Sequence, residues 1–391
     1  MEEKDSAVII ALIEPELHAE VLHSFILSLH CHHIKLKVFT SSAVSESLYD
    51  LYDLQNIEWF ICKDPGEIYT FIVNHLPQFE SCADVIWTSF PFLVKRIKIP
   101  EMPCSQSVLI HNLHTVFDPL RNLDFSTVKN MFRIIKFLPA ILALKSQKRL
   151  TGIDRILLPS TEVKNYFLHK KYYSPVKPLV FQILVHENPS FIKYSTPIKI
   201  TIPGTFSDKG RDYDPLFNAL YDAQFNEEIE IVFLGKAGKQ LPEKWRHRIK
   251  KILNKHDNIN ITTFAEFIPQ QEYNEHLLQS DFMIIPLKKW KLYGPVKEWF
   301  GASALSGSVL DAVRFAIPAL ISSSYIIPKG LDNSLIPYSD EKELTSLIND
   351  WIKNKTYNQI KTSESSHSIF YNKELAAKEY LSTFSFKIIE K

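Results

Sequence analysis

Short apolar runs alternate with helical patterns along almost the whole chain, and this alternation limits the possible folds more than any other feature of the sequence. It is typical of parallel sheets whose strands are joined by crossover helices. We therefore predict an α/β protein. The predicted strands form two series, 7–13, 34–39, 57–62, 85–88, 107–110 and 155–159, then 198–202, 230–234, 259–264, 282–286 and 319–322.

The two series are separated by residues 185–191, a polar stretch with a proline that is typical of a linker. A chain of 391 residues, 45% of them hydrophobic, is long enough to bury two cores. The pattern predicts two Rossmann-like domains facing a cleft. The first domain is predicted at 1–188 and the second at 189–370.

Composition argues against several classes of protein. The net charge of +1 is unlike that of a protein built mainly to bind nucleic acid. The four cysteines are widely spaced and suggest neither a zinc site nor a disulfide framework. No run approaches the ~18 apolar residues that span a bilayer, and the acidic start of the chain lacks the basic lead of a signal peptide. We therefore expect a cytoplasmic protein with reduced thiols.

Residues 306–321 combine a small-residue loop, a helix and a strand. Ser306, Gly307 and Ser308 open a run with the spacing of a helix packed on one face. Pro318 ends this helix, because it cannot donate to the helical ladder, and the apolar residues after it suit a buried strand. A helix start presents free N–H groups and the positive end of the helix dipole, and Gly307 lets a ligand approach the backbone. The loop is therefore a candidate phosphate site.

The next residues resemble a known motif. Residues 311–318, Asp-Ala-Val-Arg-Phe-Ala-Ile-Pro, resemble the Glu-Ala-Met-Ala-x-Gly-x-Pro segment of GT-B glycosyltransferases, especially those of family 4. The resemblance implies the GT-B fold and implies that Asp311 holds the ribose of a nucleotide sugar. Ser303 stands where the family has a second glutamate, so either Glu298 serves the donor sugar or this half of the motif is absent. In GT-B proteins the C-terminal helix often crosses back to the first domain, and we expect this of residues 371–391.

The loop after the first strand of the second domain reads Pro-Gly-Thr-Phe-Ser-Asp-Lys-Gly-Arg-Asp-Tyr from residue 203. Ligands of α/β sheets bind at the carboxyl ends of strands. Gly204 frees the backbone beside Thr205, and the point charge of Lys209 and the planar fork of Arg211 suit a diphosphate. The loop also resembles the donor loop of some bacterial GT-B members. A solvated turn with two incidental cations is the alternative.

Two further loops resemble the nucleotide site of the family. The resemblance implies that Gly235 and Phe267 border the nucleobase, whereas a turn glycine and a core phenylalanine are the alternatives. It also implies that the loop with Lys297 and Glu298 overhangs the donor sugar. A charged surface pair is the alternative there.

We expect the first domain to supply the base that takes a proton from the acceptor hydroxyl. His18 follows the first strand, at the start of a helix facing the predicted cleft. A histidine has a pKa near neutrality and can accept a proton from an attacking hydroxyl, and Glu16 and Glu20 are rival bases. The alternative is that Glu16 and Glu20 only stabilise the N-terminus of the helix electrostatically and that His18 faces solvent. His111 and His114, which follow the fifth strand, are further candidates to line the cleft, and the alternative is that both are core histidines.

Residues 129–149 interleave apolar side chains with lysine and arginine. This pattern suits the surface of an anionic membrane near a lipid-linked acceptor. An ordinary helix packed on the sheet is the alternative, and Pro139 is expected to interrupt any continuous helix.

Together these features predict a metal-independent glycosyltransferase without a bound cofactor, whose co-substrate is a nucleotide-diphosphate sugar. The expected acceptor is a hydroxyl of a glycan or lipid-linked glycan, at the inner face of the cytoplasmic membrane, and nucleic acid is not an expected partner. A nucleotide-sugar epimerase or hydrolase of the same fold is one alternative. A non-catalytic, nucleotide-binding assembly partner is the other.

Overall fold

The computed structural model describes residues 8–94, 97–145, 150–187, 196–238, 241–363 and 371–384. The chain divides into two compact units. As far as these residues are described, unit 1 contains Met1–Val185, Leu292–Glu298 and Asn372–Lys391, and unit 2 contains His186–Lys291 and Trp299–Tyr371. The predicted boundary at 188/189 lies outside the described residues. Leu292–Glu298, which the prediction assigned to the second domain, groups instead with unit 1.

Unit 1 is built on a parallel sheet of seven described strands in the order β3-β2-β1-β4-β5-β6-β7. Its strands are β1 (Ile9–Glu14), β2 (Lys35–Ser41), β3 (Ile57–Cys62), β4 (Asp84–Trp87), β5 (Ser105–Leu109), β6 (Arg155–Leu158) and β7 (Pro178–Val180). Its helices up to β7 are α1 (Ala19–His30), α2 (Ser42–Glu46), α3 (Ile68–Asn74), α4 (Leu113–Phe117), α5 (Val128–Lys145) and α6 (Thr161–His169).

Unit 2 is built on a parallel sheet of six described strands in the order β10-β9-β8-β11-β14-β15. Its strands are β8 (Ile198–Pro203), β9 (Ile229–Lys236), β10 (Ile259–Phe264), β11 (Phe282–Ile285), β14 (Ala319–Ser322) and β15 (Leu335–Tyr338). Its helices are α7 (Tyr213–Asp222), α8 (Glu243–Lys255), α9 (Gln270–Leu278), α10 (Gly307–Arg314), α11 (Glu341–Asn354) and α12 (Thr356–Ser363). A separate two-stranded sheet consists of β12 (Trp290–Tyr293) and β13 (Val296–Trp299).

The two parallel sheets confirm the predicted α/β fold with two Rossmann-like domains. Strands predicted at 57–62, 259–264 and 319–322 have these bounds, and the others shift by one or two residues at their ends, with position 7 outside the described residues. The prediction missed β7 and β15, which are short and contain proline. Both lie at a sheet edge, where the missing N–H of proline breaks no ladder hydrogen bond.

The end of the described chain is bound to unit 1. Instead of one helix over 371–391, the structure has two short helices, α13 (Lys373–Ala376) and α14 (Lys378–Leu381), and 385–391 lie outside the described residues. The Tyr380 hydroxyl donates to the buried carboxylate of Asp84 at 2.7 Å. Burial raises the pKa of Asp84 to about 6, against the hydrogen bonds that the carboxylate accepts from Ser107 and Tyr380.

Helix α5 runs without interruption through Pro139, so the prediction of a break there is wrong. The helix buries Asn130, Ala140, Ile141 and Leu144 and leaves a second apolar face exposed. The rest of the predicted segment, 146–149, lies outside the described residues. Within the described ranges, every helix is too short or too polar to cross a bilayer.

Candidate functional site

The order of strands reverses at one point in each sheet, between β1 and β4 in unit 1 and between β8 and β11 in unit 2. Ligands of open α/β sheets bind outside the carboxyl ends of the strands at such a switch point. The loop after β8 and the loop after β1 are the two that the sequence singled out. Each is described below within its own unit.

Arg211 lies directly over Gly204 at the switch point of unit 2. Gly204 has a φ of +90°, and a Cβ atom at this residue would lie 2.0 Å from Nη2 of Arg211, so only glycine fits. Nη2 donates to Oγ of Ser308 at 2.9 Å, and this hydroxyl donates to the carbonyl of Pro203 at 3.1 Å. The arginine is thereby fixed between the loop after β8 and the first turn of α10.

The other terminal nitrogen of Arg211, Nη1, is buried and has no hydrogen-bond partner among the described residues. A buried charged donor without a partner is costly and is usually satisfied by an anion or an ordered water. The second predicted cation differs, because Lys209 is exposed, as is Thr205. Arg211 is therefore built into the loop, whereas Lys209 extends into solvent.

Helix α10 begins at Gly307, as predicted, and Ser306 is its N-cap. The Ser306 side chain makes no capping hydrogen bond, and both Ser306 and Ser308 are buried while Gly307 is exposed. A Cβ atom at Gly307 would meet no atom within 4 Å. The backbone at the helix start is therefore open to a ligand on this side.

Asp311 lies one turn further along α10. The hydroxyl of Tyr273, on α9, donates to Oδ2 of Asp311 at 2.7 Å. The sequence analysis missed Tyr273, because nothing in the neighbouring sequence distinguishes it from any other tyrosine in a mostly polar helix. The hydrogen bond fixes the direction of the carboxylate that the resemblance assigned to a ribose.

Gly235 lies against the backbone of Gly204, whereas Phe267 is exposed to solvent. A Cβ atom at Gly235 would lie 2.5 Å from the carbonyl carbon of Gly204, so the close approach of these two backbones requires glycine here. Phe267 is 77% exposed, and the alternative of a core phenylalanine is wrong. Nζ of Lys236 lies 4.8 Å from its ring centroid and 2.7 Å from the carboxylate of Glu266. An aromatic face is therefore available at the end of β10.

Glu14 is a fully buried carboxylate at the end of β1 in unit 1. It accepts hydrogen bonds from the hydroxyls of Thr88 (2.7 Å) and Ser89 (2.5 Å) and from the backbone N–H of Glu16 (2.8 Å). Burial raises the pKa of Glu14, against these hydrogen bonds and the nearby His18. The carboxylate joins the ends of β1 and β4 and fixes the start of the loop that carries Glu16.

His18 lies between two carboxylates, 3.6 Å from Glu16 and 3.5 Å from Glu20, and its ring stacks on His111 with centroids 5.0 Å apart. Burial lowers the pKa of His18, but the hydrogen bonds with Glu16 and Glu20 outweigh it and raise the pKa to about 10. A raised pKa favours the protonated imidazole near pH 7 and argues against His18 as the base. The choice among His18, Glu16 and Glu20 stays a prediction.

Glu298 is fully buried in unit 1 and caps α4. Its carboxylate accepts hydrogen bonds from the backbone N–H groups of His114 (3.2 Å) and Thr115 (2.7 Å) and from the Thr115 hydroxyl (2.7 Å). Lys297 pairs with the buried Asp124 at 3.0 Å. Glu298 and Lys297 are therefore not a surface pair, because Glu298 is fully buried and Lys297 pairs with Asp124. The position of Glu298 over the donor sugar stays a prediction. Burial lowers the pKa of His114.

Ser303, which stands at the family's upstream glutamate, is also fully buried. Its hydroxyl accepts a hydrogen bond from the backbone N–H of Trp299 at 2.7 Å. Position 303 therefore supplies no carboxylate, and a role of Glu298 toward the donor sugar stays a prediction.

Among the described residues, no cluster of three or more His, Cys, Asp or Glu side chains is arranged to hold a metal ion. Metal independence and the absence of a bound cofactor stay predictions.

Solved structures of three proteins are similar to this chain over nearly its whole length. HepE from Anabaena in complex with UDP-glucose has 13% identity, covers 96% of this chain and 100% of its own, and has a TM-score of 0.57. A glycosyltransferase from Rickettsia africae has 12% identity, coverage of 97% and 98%, and a TM-score of 0.57. A putative UDP-N-acetylglucosamine 2-epimerase from Listeria monocytogenes has 15% identity, coverage of 97% and 96%, and a TM-score of 0.53.

No protein-family model matches the chain, and no curated protein matches it. At these identities the likeness to solved structures shows the fold alone. It confirms the predicted GT-B fold, whereas membership of family 4 stays a prediction.

The structural role of Glu298 can be tested with Glu298→Gln. We expect a loss of about 1–3 kcal/mol in the free energy of unfolding, because the amide cannot satisfy the same donors. Denaturant unfolding would measure it, with Glu46→Gln, an exposed acid of unit 1, as the control that stays near wild type. Wild-type unfolding combined with lost turnover would contradict the capping role and return Glu298 to the donor site.

Proposed function

We propose that this protein is a glycosyltransferase that moves a sugar from a nucleotide-diphosphate sugar to a hydroxyl in surface polysaccharide or glycolipid assembly. The observation that carries the proposal is Arg211, bonded to Ser308 at the switch point of unit 2, with Nη1 buried and unpartnered among the described residues. A guanidinium held in this way fits a phosphate oxygen. The similar HepE was solved with UDP-glucose and with UDP, so a uridine diphosphate sugar is the donor that we propose first.

The loop after β8 and the start of α10 also supply the proposed contacts with the diphosphate. Arg211 and the exposed Lys209 offset the charge of the diphosphate, and the N–H groups at the start of α10 bind its oxygens. Asp311, oriented by Tyr273, accepts hydrogen bonds from the ribose hydroxyls. Cationic side chains and the helix dipole stabilise the departing diphosphate, which removes the need for a metal ion.

The nucleobase is proposed to lie near the ends of β9 and β10. Phe267 offers an exposed ring on which a base can stack. Gly235 and Gly204 contribute by keeping the two loops close together, and Thr205 contributes an exposed hydroxyl beside them.

The acceptor hydroxyl is proposed to bind at the switch point of unit 1. Glu16 is the proposed base, with Glu20 as its rival, because both carboxylates are partly exposed at the end of β1. The imidazolium of His18 holds these two carboxylates in place. The buried Glu14 supports them by accepting the backbone N–H of Glu16.

The acceptor is proposed to be lipid-linked, because α5 presents an apolar face to the outside. Val128, Phe132, Ile135 and Leu142 recur every three, four or seven residues and are each at least half exposed. Three cations recur at the same helical spacing, each one residue after an apolar residue of this face: Lys129, Arg133 and Lys136. An apolar face flanked by cations suits an anionic membrane surface, and we propose the inner face of the cytoplasmic membrane.

A second candidate is a nucleotide-sugar epimerase or hydrolase. It is favoured by the similarity to the Listeria monocytogenes protein described as a putative UDP-N-acetylglucosamine 2-epimerase. Incubation with the donor alone separates the two reactions, since only an epimerase or hydrolase changes the donor without an acceptor.

The donor site can be tested by thermal unfolding with UDP, GDP, ADP, CMP and their sugars. A ligand that binds only the folded state at 100 times its Kd raises stability by about 2.7 kcal/mol. We expect one nucleoside diphosphate to raise the Tm and Arg211→Ala to weaken its binding about tenfold or more, because a charge-assisted hydrogen bond is lost. Asp311→Asn should also weaken it, whereas Arg246→Ala, an exposed arginine of α8, should not. An undiminished shift in Arg211→Ala would contradict the proposed site.

The acceptor base can be tested with Glu16→Gln in a donor-plus-acceptor assay. We expect turnover to fall by about 10²–10⁴ while the donor-induced Tm shift is kept. The pH profile should show no imidazole ionisation between pH 6 and 8, because His18 loses its proton only near its pKa of about 10. Turnover near wild type in Glu16→Gln would exclude this base, and a loss in Glu20→Gln would assign the role to its rival.

The membrane contact can be tested by sedimentation with vesicles that contain anionic lipid, at low salt. We expect binding of the wild type, and about tenfold weaker binding of Phe132→Ser and Ile135→Ser, because each removes apolar area from the proposed contact. Leu168→Ser, an exposed leucine of α6, is the matched control. Failure of the wild type to sediment, or equal losses in all three variants, would overturn the contact.

A further inference from the structure

Helix α8 concentrates positive charge in a chain that is nearly neutral. Its 13 residues, Glu-Lys-Trp-Arg-His-Arg-Ile-Lys-Lys-Ile-Leu-Asn-Lys, include six lysines or arginines, one histidine and one acid, while the whole chain has a net charge of +1. Trp245 and Ile252 are buried and fix the helix on unit 2. The cations are therefore held in a defined arrangement on the surface. None of them is used by the proposed transfer reaction.

A groove of about 800 Å³ lies between α7 and α8. Lys244, Arg248, Lys251 and Lys255 line it, at intervals of three or four residues along α8. This spacing places about one cation on each helical turn over about 16 Å. The volume is that of a ligand site, and the row suits an extended ligand with repeated negative charges.

Acids on α7 neutralise part of this row. Asp214 pairs with Lys244 at 2.8 Å and with Arg248 at 3.4 Å, and Lys255 lies 3.8 Å from Asp222. Lys251 has no acidic partner among the described residues. These acids lie beside the groove and reduce the positive charge at the two ends of the row, so Lys251 carries the charge that is least compensated.

The remaining lining groups suit hydroxyl groups and sugar rings. Asn254 and His247 are exposed and can each donate and accept hydrogen bonds. The ring of Tyr221 is 41% exposed, and Nζ of Lys255 lies 4.0 Å from its centroid. Nucleic acid carries a phosphate on every unit, and the carboxylates of Asp214 and Asp222 beside the groove already pair with three of its four cations. A chain that alternates acidic groups with neutral hydroxyl groups fits the lining better.

We propose that this groove binds an acidic oligosaccharide in an extended conformation. The cations of α8 take its carboxylates, Asn254 and His247 take its hydroxyls, and a sugar ring packs on Tyr221. The site is lined only by α7 and α8 and includes no residue of the proposed donor site. It can therefore be tested without nucleotide.

The experiment is calorimetric titration of the full chain with a short oligogalacturonate, its fully methyl-esterified form, a single-stranded oligodeoxynucleotide of equal charge, and inorganic phosphate. Lys251→Glu is the test variant. Lys250→Glu is its matched control, because it makes the same charge change at the next residue, which is exposed but does not line the groove. Thermal melting with and without UDP checks that both variants fold and keep the donor site.

We expect oligogalacturonate to bind and Lys251→Glu to weaken its binding about tenfold, with less than a twofold change in Lys250→Glu. The esterified form and phosphate should bind far more weakly. The proposal is overturned if oligogalacturonate does not bind, if both variants lose affinity equally, or if the oligodeoxynucleotide binds more tightly. A lost UDP shift with intact oligogalacturonate binding would count against the proposed function alone.

Discussion

The contact of Arg211 with Gly204 and Ser308 is the constraint on which the candidate donor site depends. The guanidinium occupies the space that a side chain at residue 204 would need, and Ser308 bonds both this group and the carbonyl of Pro203. One hydroxyl thus ties β8, the loop after it and α10 together. The buried Nη1, without a partner among the described residues, is a donor that an anion or an ordered water can satisfy.

The same contact explains the second glycine. Gly235 must lack a side chain because the backbone of Gly204 passes 2.5 Å from where its Cβ would be, so the loops after β8 and β9 approach each other closely. The switch point of the sheet brings β11 beside β8 and lets Asp212 donate its N–H to the carbonyl of Pro286 at 2.8 Å. Strand order, two glycines and one arginine thereby produce a single rigid edge. A phosphate site that contacts mainly backbone needs such rigidity.

The sequence predicted the fold well because hydrophobic periodicity is local. The strands at 57–62, 259–264 and 319–322 and the start of α10 at Gly307 follow directly from it. Edge strands β7 and β15 were missed because proline hides their pattern. Tyr273 was missed because its partnership with Asp311 joins two helices that are far apart in sequence. The raised pKa of His18 could not be predicted for a different reason, since it depends on two carboxylates whose distances no sequence spacing specifies.

Glu298 shows that a position near a family motif does not specify which contacts a side chain makes. By position it was the nearest carboxylate to the missing glutamate of the motif, yet it satisfies the free N–H groups of α4, a helix about 180 residues earlier in the chain. The described hairpin residues Leu292–Glu298 belong to unit 1 although unit 2 precedes and follows them. The buried carboxylate accepts three hydrogen bonds from α4, so most of its acceptor capacity serves that helix. Position 303 is a serine and supplies no carboxylate. The proposed donor site therefore depends on Arg211, Asp311 and the start of α10, whose contacts all lie within unit 2.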